Sequence, residues 1–178
     1  NTLTGLQTIF VALGRVTELL DIEPEIKDKV DCKILNGLND CIEFKDVSFA
    51  YKDNLLVLRD INLKVKKNET LAIVGNSGGG KSTLVNLIPR FYDVTSGAIL
   101  IDGVDVQDYS MKSLRNNLAM VFQDNFLFSG TIRENILMGN PKATNEDVQK
   151  AVEYAHLQEV IAELPKGLDT MLDRKSVV

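Results

Sequence analysis

The stretch 75-GNSGGGKST-83 decides how this chain is read. It fits the pattern GxxxxGK[ST] and stands between the apolar run 70-TLAIV-74 and the segment Leu84 to Ile88. That context predicts a buried parallel strand, a glycine loop and a helix that Pro89 helps to close. Gly75, Gly78, Gly79 and Gly80, with Asn76 and Ser77 among them, let successive backbone N–H groups turn inward at little steric cost. Such a cradle suits a polyphosphate. The Lys81 ammonium reaches toward the β and γ phosphates, Ser82 offers a hydroxyl to Mg²⁺, and Thr83, directly after the motif, joins them as a binding candidate. A helix starting at Lys81 adds about half a positive charge at its N-terminus. The expected ligand is a nucleoside triphosphate with Mg²⁺. No Asn-Lys-x-Asp stretch of the kind that reads guanine occurs, which favours ATP.

The whole composition agrees with a globular nucleotide binder. The 178 residues make one ordinary domain with an appendage, enough to bury a core without staples. The apolar fraction of 44% and the charged fraction of 25% are ordinary, and the net charge of -5 offers no basic field for a phosphate backbone. Nucleic acid is not an expected partner. Cys32 and Cys41 are too few and too far apart for a redox or zinc motif and are expected as reduced thiols. No apolar run approaches the roughly 20 residues that cross a bilayer. The chain opens inside a helical pattern and closes on Ser176, Val177 and Val178 with no turn or cap, so both ends are expected to be cut from a longer protein.

Working outward, Leu3, Leu6, Ile9, Phe10, Leu13, Val16 and Leu20 recur at the spacing of one helical face. Residues 21–40 turn charged and broken, as a linker does. From Cys41 a folded module begins. Ile42 and Phe44, then Val47 and Phe49, predict a strand with an irregularity between them, and Ile61, Leu63 and Val65 predict a half-buried partner. The run 98-AILIDG-103 reads as a strand entering an Asp-Gly turn, Ser110 as the cap of a short helix, and 118-LAMVF-122 as a second buried strand. Thr144 with Asp147 marks another helix start, and a further segment ends before Pro165 and Gly167.

In combination these residues resemble the nucleotide-binding domain of an ABC transporter of the exporter type. The resemblance runs from about Cys41 to the C-terminus. It rests on the phosphate loop, on 48-SFAYKDNLLVLRDINLKV-65, on 91-FYDVTSGAILIDGVDV-106 and on 118-LAMVFQDNFLFSGTIRENI-136. It implies an α/β fold, a P-loop NTPase core with parallel strands plus an antiparallel β subdomain, preceded by the N-terminal amphipathic helix. Tyr51 then falls where the family stacks an aromatic ring on adenine, an interaction worth roughly 1–3 kcal/mol per base in single-stranded nucleic-acid systems. Gln123 falls in the family's glutamine loop, near Mg²⁺ and the attacking water.

The resemblance also implies a division of the chain: residues 1–20 as the end of a preceding transmembrane domain, 21–40 as linker, and 41–178 as the N-terminal part of the ATP-binding domain. The full protein would be an integral membrane ATPase motor at the cytoplasmic face. Its partners would be a second ATP-binding domain, identical or not, and a transmembrane domain of the same chain. A soluble P-loop ATPase or nucleotide-dependent switch is the alternative.

Hydrolysis needs more than the loop. A P-loop ATPase requires an Asp for Mg²⁺ and a group that orients the attacking water. The family's later Ser-Gly-Gly signature, distinct from Ser77-Gly78-Gly79 of the phosphate loop, its apolar run ending in Asp-Glu and its switch His are expected to lie beyond the 178 residues. The segment Asp173 to Ser176 departs from the acidic, glycine-flanked loop expected there. Asp102 imitates a metal-binding Asp after a strand, but Gly103 behind it signals a hairpin turn. His156 sits in a helical pattern and reads as a packed or surface helix residue rather than a catalytic one. The chain is therefore expected to bind ATP with Mg²⁺ and to hydrolyse it very poorly.

Overall fold

The computed structural model describes residues 10, 12–18, 20–51, 55–123 and 126–172. Two compact units divide the chain, Asn1–Ala119 and Met120–Val178. In the first unit, residues 12–18 form helix α1, whose stripe of Phe10, Leu13, Val16 and Leu20 stands exposed. The remainder of the expected stripe, Leu3, Leu6 and Ile9, lies outside the described residues.

The folded heart of this unit is an antiparallel sheet in the order β2-β1-β3-β4, made of β1 (Cys41–Ala50), β2 (Leu56–Lys66), β3 (Ser96–Ile101) and β4 (Val104–Asp105). β2 forms because Ile61, Leu63 and Val65 face one way and Asn62, Lys64 and Lys66 the other. The irregularity expected in β1 is present as register shifts between Phe44 and Val47 against β2 and between Lys45 and Ser48 against β3, with Asp46 at φ 48°. Opposite this bulge stands Gly97 at φ 79°, where any Cβ would collide with the carbonyl oxygens of Lys45 and Asp46. β3 can therefore cross the bulge only as glycine. Asp102 and Gly103, at φ 52° and 80°, make the expected tight turn into β4.

Beneath the sheet lie α2 (Lys81–Leu87) and α3 (Met111–Asn116). Leu84, Leu87 and Leu114 join Phe44, Val47, Phe49, Ile99 and Ile101 in one core. Ser110 caps α3 by accepting from the Ser113 N–H at 3.2 Å, as its position predicts.

Two expected strands do not form. Residues 70–75 carry no strand, with Val74 88% exposed, and 118–122 carry none either, with Val121 93% exposed. The reason lies in what such runs need. A strand apolar at nearly every position suits a parallel setting, where the ladder neighbours come from distant sequence. Among the described residues every named strand pairs antiparallel, and the one parallel contact is the isolated bridge of Lys33 with Tyr109.

Residues 27–40, within the segment read as linker, run as a strap along the first unit. Arg90 Nη2 donates to the Lys27 carbonyl at 3.3 Å and the Met111 N–H to Asp28 Oδ1 at 2.9 Å, while Lys29 pairs with Asp108. Further along, Lys33 N–H donates to the Asp108 carbonyl at 2.7 Å and Ser110 N–H to the Lys33 carbonyl at 2.9 Å. Leu35 is held on both sides, its N–H by Ser113 Oγ at 3.1 Å and its carbonyl by Asn117 Nδ2 at 2.8 Å.

The second unit is smaller in its core. β5 (Gly130–Thr131) pairs antiparallel with β6 (Met171–Leu172), and the helices are α4 (Ile132–Leu137), α5 (Asn145–Tyr154) and α6 (Gln158–Glu163). Val148, Val152 and Leu168 are its buried centre. Capping boxes start two of these helices: Thr131 with Glu134 on α4, and Thr144 with Asp147, as expected, on α5. In each, the Thr N–H and hydroxyl donate to the carboxylate and hold it below the usual range. Asp173 to Ser176 lie outside the described residues.

Candidate functional site

The site is built where β2, the glycine loop and α2 meet. Gly80 takes φ 80°, and a Cβ there would lie 2.8 Å from Leu58 Cδ2 and 3.3 Å from the Val57 carbonyl oxygen. Only glycine lets the loop approach β2 so closely. Gly79 N–H donates to the Asn76 carbonyl at 3.1 Å, which turns the loop tightly, and Leu84 N–H donates to the Gly80 carbonyl at 2.8 Å as the helix begins.

Lys81 is folded back on this loop. Its ammonium donates to the carbonyls of Gly75 at 2.9 Å and Asn76 at 2.7 Å. Two neutral acceptors thus hold the charge, and hydrogen bonds to an anionic oxygen are about twice as strong as to a neutral one. A polyphosphate can therefore outcompete them. Gly75, Asn76, Ser77, Gly78, Gly79 and Ser82 are exposed, so the loop and the first hydroxyl of α2 face solvent.

Tyr51, the base-stacking candidate, stands at the end of β1 and is 42% exposed. Its ring lies nearly perpendicular to Phe49, with centroids 4.8 Å apart, and to Tyr92, at 5.1 Å. Its phenol shares a 3.0 Å hydrogen bond with the hydroxyl of Thr83, the residue directly after the GxxxxGK[ST] motif. This bond joins Tyr51 to the first turn of α2, directly behind the phosphate loop. The neighbours Lys52, Asp53 and Asn54 lie outside the described residues. A groove of about 1250 Å³ runs beside Tyr51 past Phe91, Tyr92, Met111 and Arg115. None of residues 75–83 lines it, so a phosphate held by the loop lies elsewhere.

Three other candidates take simpler roles or stand apart. The Asp102 carboxylate accepts from the N–H groups of Asn39 at 2.8 Å, Asp40 at 2.7 Å and Cys41 at 3.1 Å. Burial opposes its charge, but these amides outweigh burial and hold its carboxyl below the usual carboxylate range. It is a turn residue that anchors the start of β1. His156 is exposed at φ 55°, in the turn that follows α5. Gln123 belongs to the second unit and is exposed in a bend; Asp124 and Asn125 beside it lie outside the described residues.

Among the described residues no group of three His, Cys, Asp or Glu side chains could hold a metal ion. Mg²⁺ does not require one, because it is commonly held through one or two protein ligands plus substrate phosphates and water. The exposed Ser82 hydroxyl, a hard oxygen donor beside Lys81, fits that arrangement.

The motif alone does not show the Tyr51–Thr83 bond, nor the framing of Tyr51 by Phe49 and Tyr92. One signal was available: Phe49 and Tyr51 are two apart on a strand and so share a face. Arg90 also gave no sequence signal. It is buried, with Nε on Asp93 Oδ1 at 2.7 Å, and it ties the segment after α2 to the strap.

Comparison with known proteins bears on this geometry. The family model described as ABC transporter matches residues 58–172. An ABC transporter ATP-binding protein of Bacillus subtilis, YwjA, itself called uncharacterized, is 49% identical over 90% of this chain and 28% of its own length. Another Bacillus subtilis protein, provisionally named multidrug export ATP-binding/permease protein YgaD, is 48% identical over 99% of this chain and 31% of its own. A solved structure, a bacterial Atm1-family ABC exporter with ATP bound, superposes with a TM-score of 0.86 at 35% identity. That match covers 93% of this chain and 29% of the other. The chain thus spans about three tenths of the length of the relatives it matches.

Proposed function

This chain belongs to the ABC transporter family, and from that premise we propose that it is the ATP-binding segment of an export motor. Tyr51 stacks on adenine, and the loop Gly75 to Thr83 cradles the triphosphate. Lys81 exchanges its two carbonyl partners for phosphate oxygens. Ser82 would hold Mg²⁺ together with those phosphates, and Gln123, by its place in the segment 118–136, is the other residue assigned to the metal and the attacking water. When bound, Mg²⁺ would supply charge neutralisation to the phosphates. The observation that carries this reading is the loop itself, held against β2 by Gly80 with the Lys81 ammonium turned into it.

The wider reading takes the same premise further. In a longer protein, residues 1–20 continue a transmembrane domain, 21–40 link it to the motor, and 41–178 begin the ATP-binding domain. The exposed stripe of α1 supports this, as does the permease named in a relative about three times as long. Two ATP-binding domains pair at the cytoplasmic face and couple hydrolysis to export. Among the described residues no helix is long and apolar enough to cross a membrane. With Asp102 occupied by backbone amides, no carboxylate among the described residues is assigned to hydrolysis, so the 178 residues are expected to bind ATP and turn it over very slowly.

The test is equilibrium binding of ATP with Mg²⁺, and of tripolyphosphate, to the wild-type chain and to Lys81→Ala and Tyr51→Ala. Lys81→Ala is expected to abolish binding of both ligands. Tyr51→Ala is expected to weaken ATP while sparing tripolyphosphate. Retention of ATP affinity in Lys81→Ala would refute the cradle, and equal loss of both ligands in Tyr51→Ala would refute the stacking role.

A further inference from the structure

We propose that Thr83 is a positioning residue for the base: its hydroxyl, bonded to the Tyr51 phenol, presets the ring on which the base stacks. The inference rests on the stacking role given to Tyr51 above. It adds that affinity for the base is set in part from inside the helix that follows the phosphate loop.

Several observations converge on this bond. Thr83 is only 7% exposed, so its hydroxyl is a buried polar group that needs a partner, and the phenol 3.0 Å away is that partner. Its branched Cβ restricts the directions in which the hydroxyl can point. Tyr51, by contrast, sits at the end of a strand with much of its ring open, where a side chain loses rotamer freedom when a ligand immobilises it. Phe49 and Tyr92 meet the ring at interplanar angles of 85° and 88°, and the Thr83 bond fixes its far end. The ring is therefore ordered before a base arrives.

Thr83 and Tyr51 are 32 residues apart, and the bond joins two halves of one site. Because Thr83 belongs to α2, a shift of α2 as the loop takes phosphate moves the anchor of the base platform. The two halves are thereby coupled through a single pair of hydroxyls.

Binding of ATP and of tripolyphosphate to Tyr51→Phe, Thr83→Val, Thr83→Ser and the double variant Tyr51→Phe/Thr83→Val tests this. Tyr51→Phe keeps the ring and removes the bond, and it is expected to weaken ATP about two- to tenfold, the range of one net hydrogen bond, with tripolyphosphate unchanged. Thr83→Val, at a residue of the cradle, is expected to weaken both ligands but ATP about two- to tenfold more than tripolyphosphate, Thr83→Ser to behave as wild type, and the double variant to bind ATP no more weakly than Thr83→Val alone. Thermal melts check that each variant folds. If Thr83→Val does not fold, Tyr51→Phe and Thr83→Ser still decide the matter. Wild-type affinity in Tyr51→Phe, with ATP binding weakened in Tyr51→Ala, overturns the positioning role and leaves stacking in place. Wild-type affinity in Tyr51→Ala overturns stacking and the inference with it. Equal fold-loss of ATP and tripolyphosphate in Thr83→Val also overturns the inference, since Thr83 then acts through the phosphates alone.

Discussion

The antiparallel sheet and the run 70–75 are both rich in apolar residues, yet one is packed and the other exposed. In β1, Phe44, Val47 and Phe49 are buried, because β2 supplies one ladder from the adjoining hairpin and β3, from beyond α2, supplies the other. In the run before the loop, Leu71, Ile73 and Val74 are exposed and pair with no strand. The difference teaches that burial follows from available neighbours rather than from hydrophobicity alone. An alternating strand carries its own partner in the next hairpin, whereas a run built to be covered on both faces depends on remote segments.

Substitutions grade this contrast. Phe44→Ala, at a side chain 2% exposed in the sheet core, is expected to lower the unfolding free energy by about 3–5 kcal/mol. A urea titration measures it, and a loss below about 1 kcal/mol would break the distinction between the two regions. Asp102→Asn should cost less, about 1 kcal/mol at neutral pH, because amide-bonded carboxylates contribute more than neutral acceptors. Its pH dependence sharpens the point. The folded carboxyl lies below its unfolded value, near pH 4, so its contribution is complete above that value and is lost as pH falls through the folded one. Wild type and Asp102→Asn should therefore converge in stability under acid, and a constant gap down to low pH would remove the carboxylate from the account. Val74→Ala is the smallest step, expected within about 0.5 kcal/mol at its exposed position. A larger loss would mean that the run is packed in solution.

The same contrast explains what could be read in the sequence. The alternation in β2, the irregularity of β1, the Asp-Gly turn and the caps at Ser110 and Thr144 are local features, decided within a few residues. The glycine loop and Lys81 are legible for the same reason, since their chemistry sits in one short motif. Strands at 70–74 and 118–122 were misread because a period of apolar residues states a preference and does not supply a partner. The strap was only half legible. Its charges and breakers mark it as irregular, but its bonds reach residues more than 60 positions away. The Tyr51–Thr83 bond is hidden in the same manner, as a contact between two motifs that sequence reading treats separately.

The strap has a mechanical consequence. Its ties fall in chain order at Lys27, Asp28, Lys29, Lys33 and Leu35, and end at the three amides on Asp102. A pull on the chain at residue 21 loads these bonds one after another instead of all together. Each yields at low tension, and the ladders of β1 feel none of it until Asp102 releases. The strap is a graded tether that absorbs displacement from its amino end before the sheet is strained.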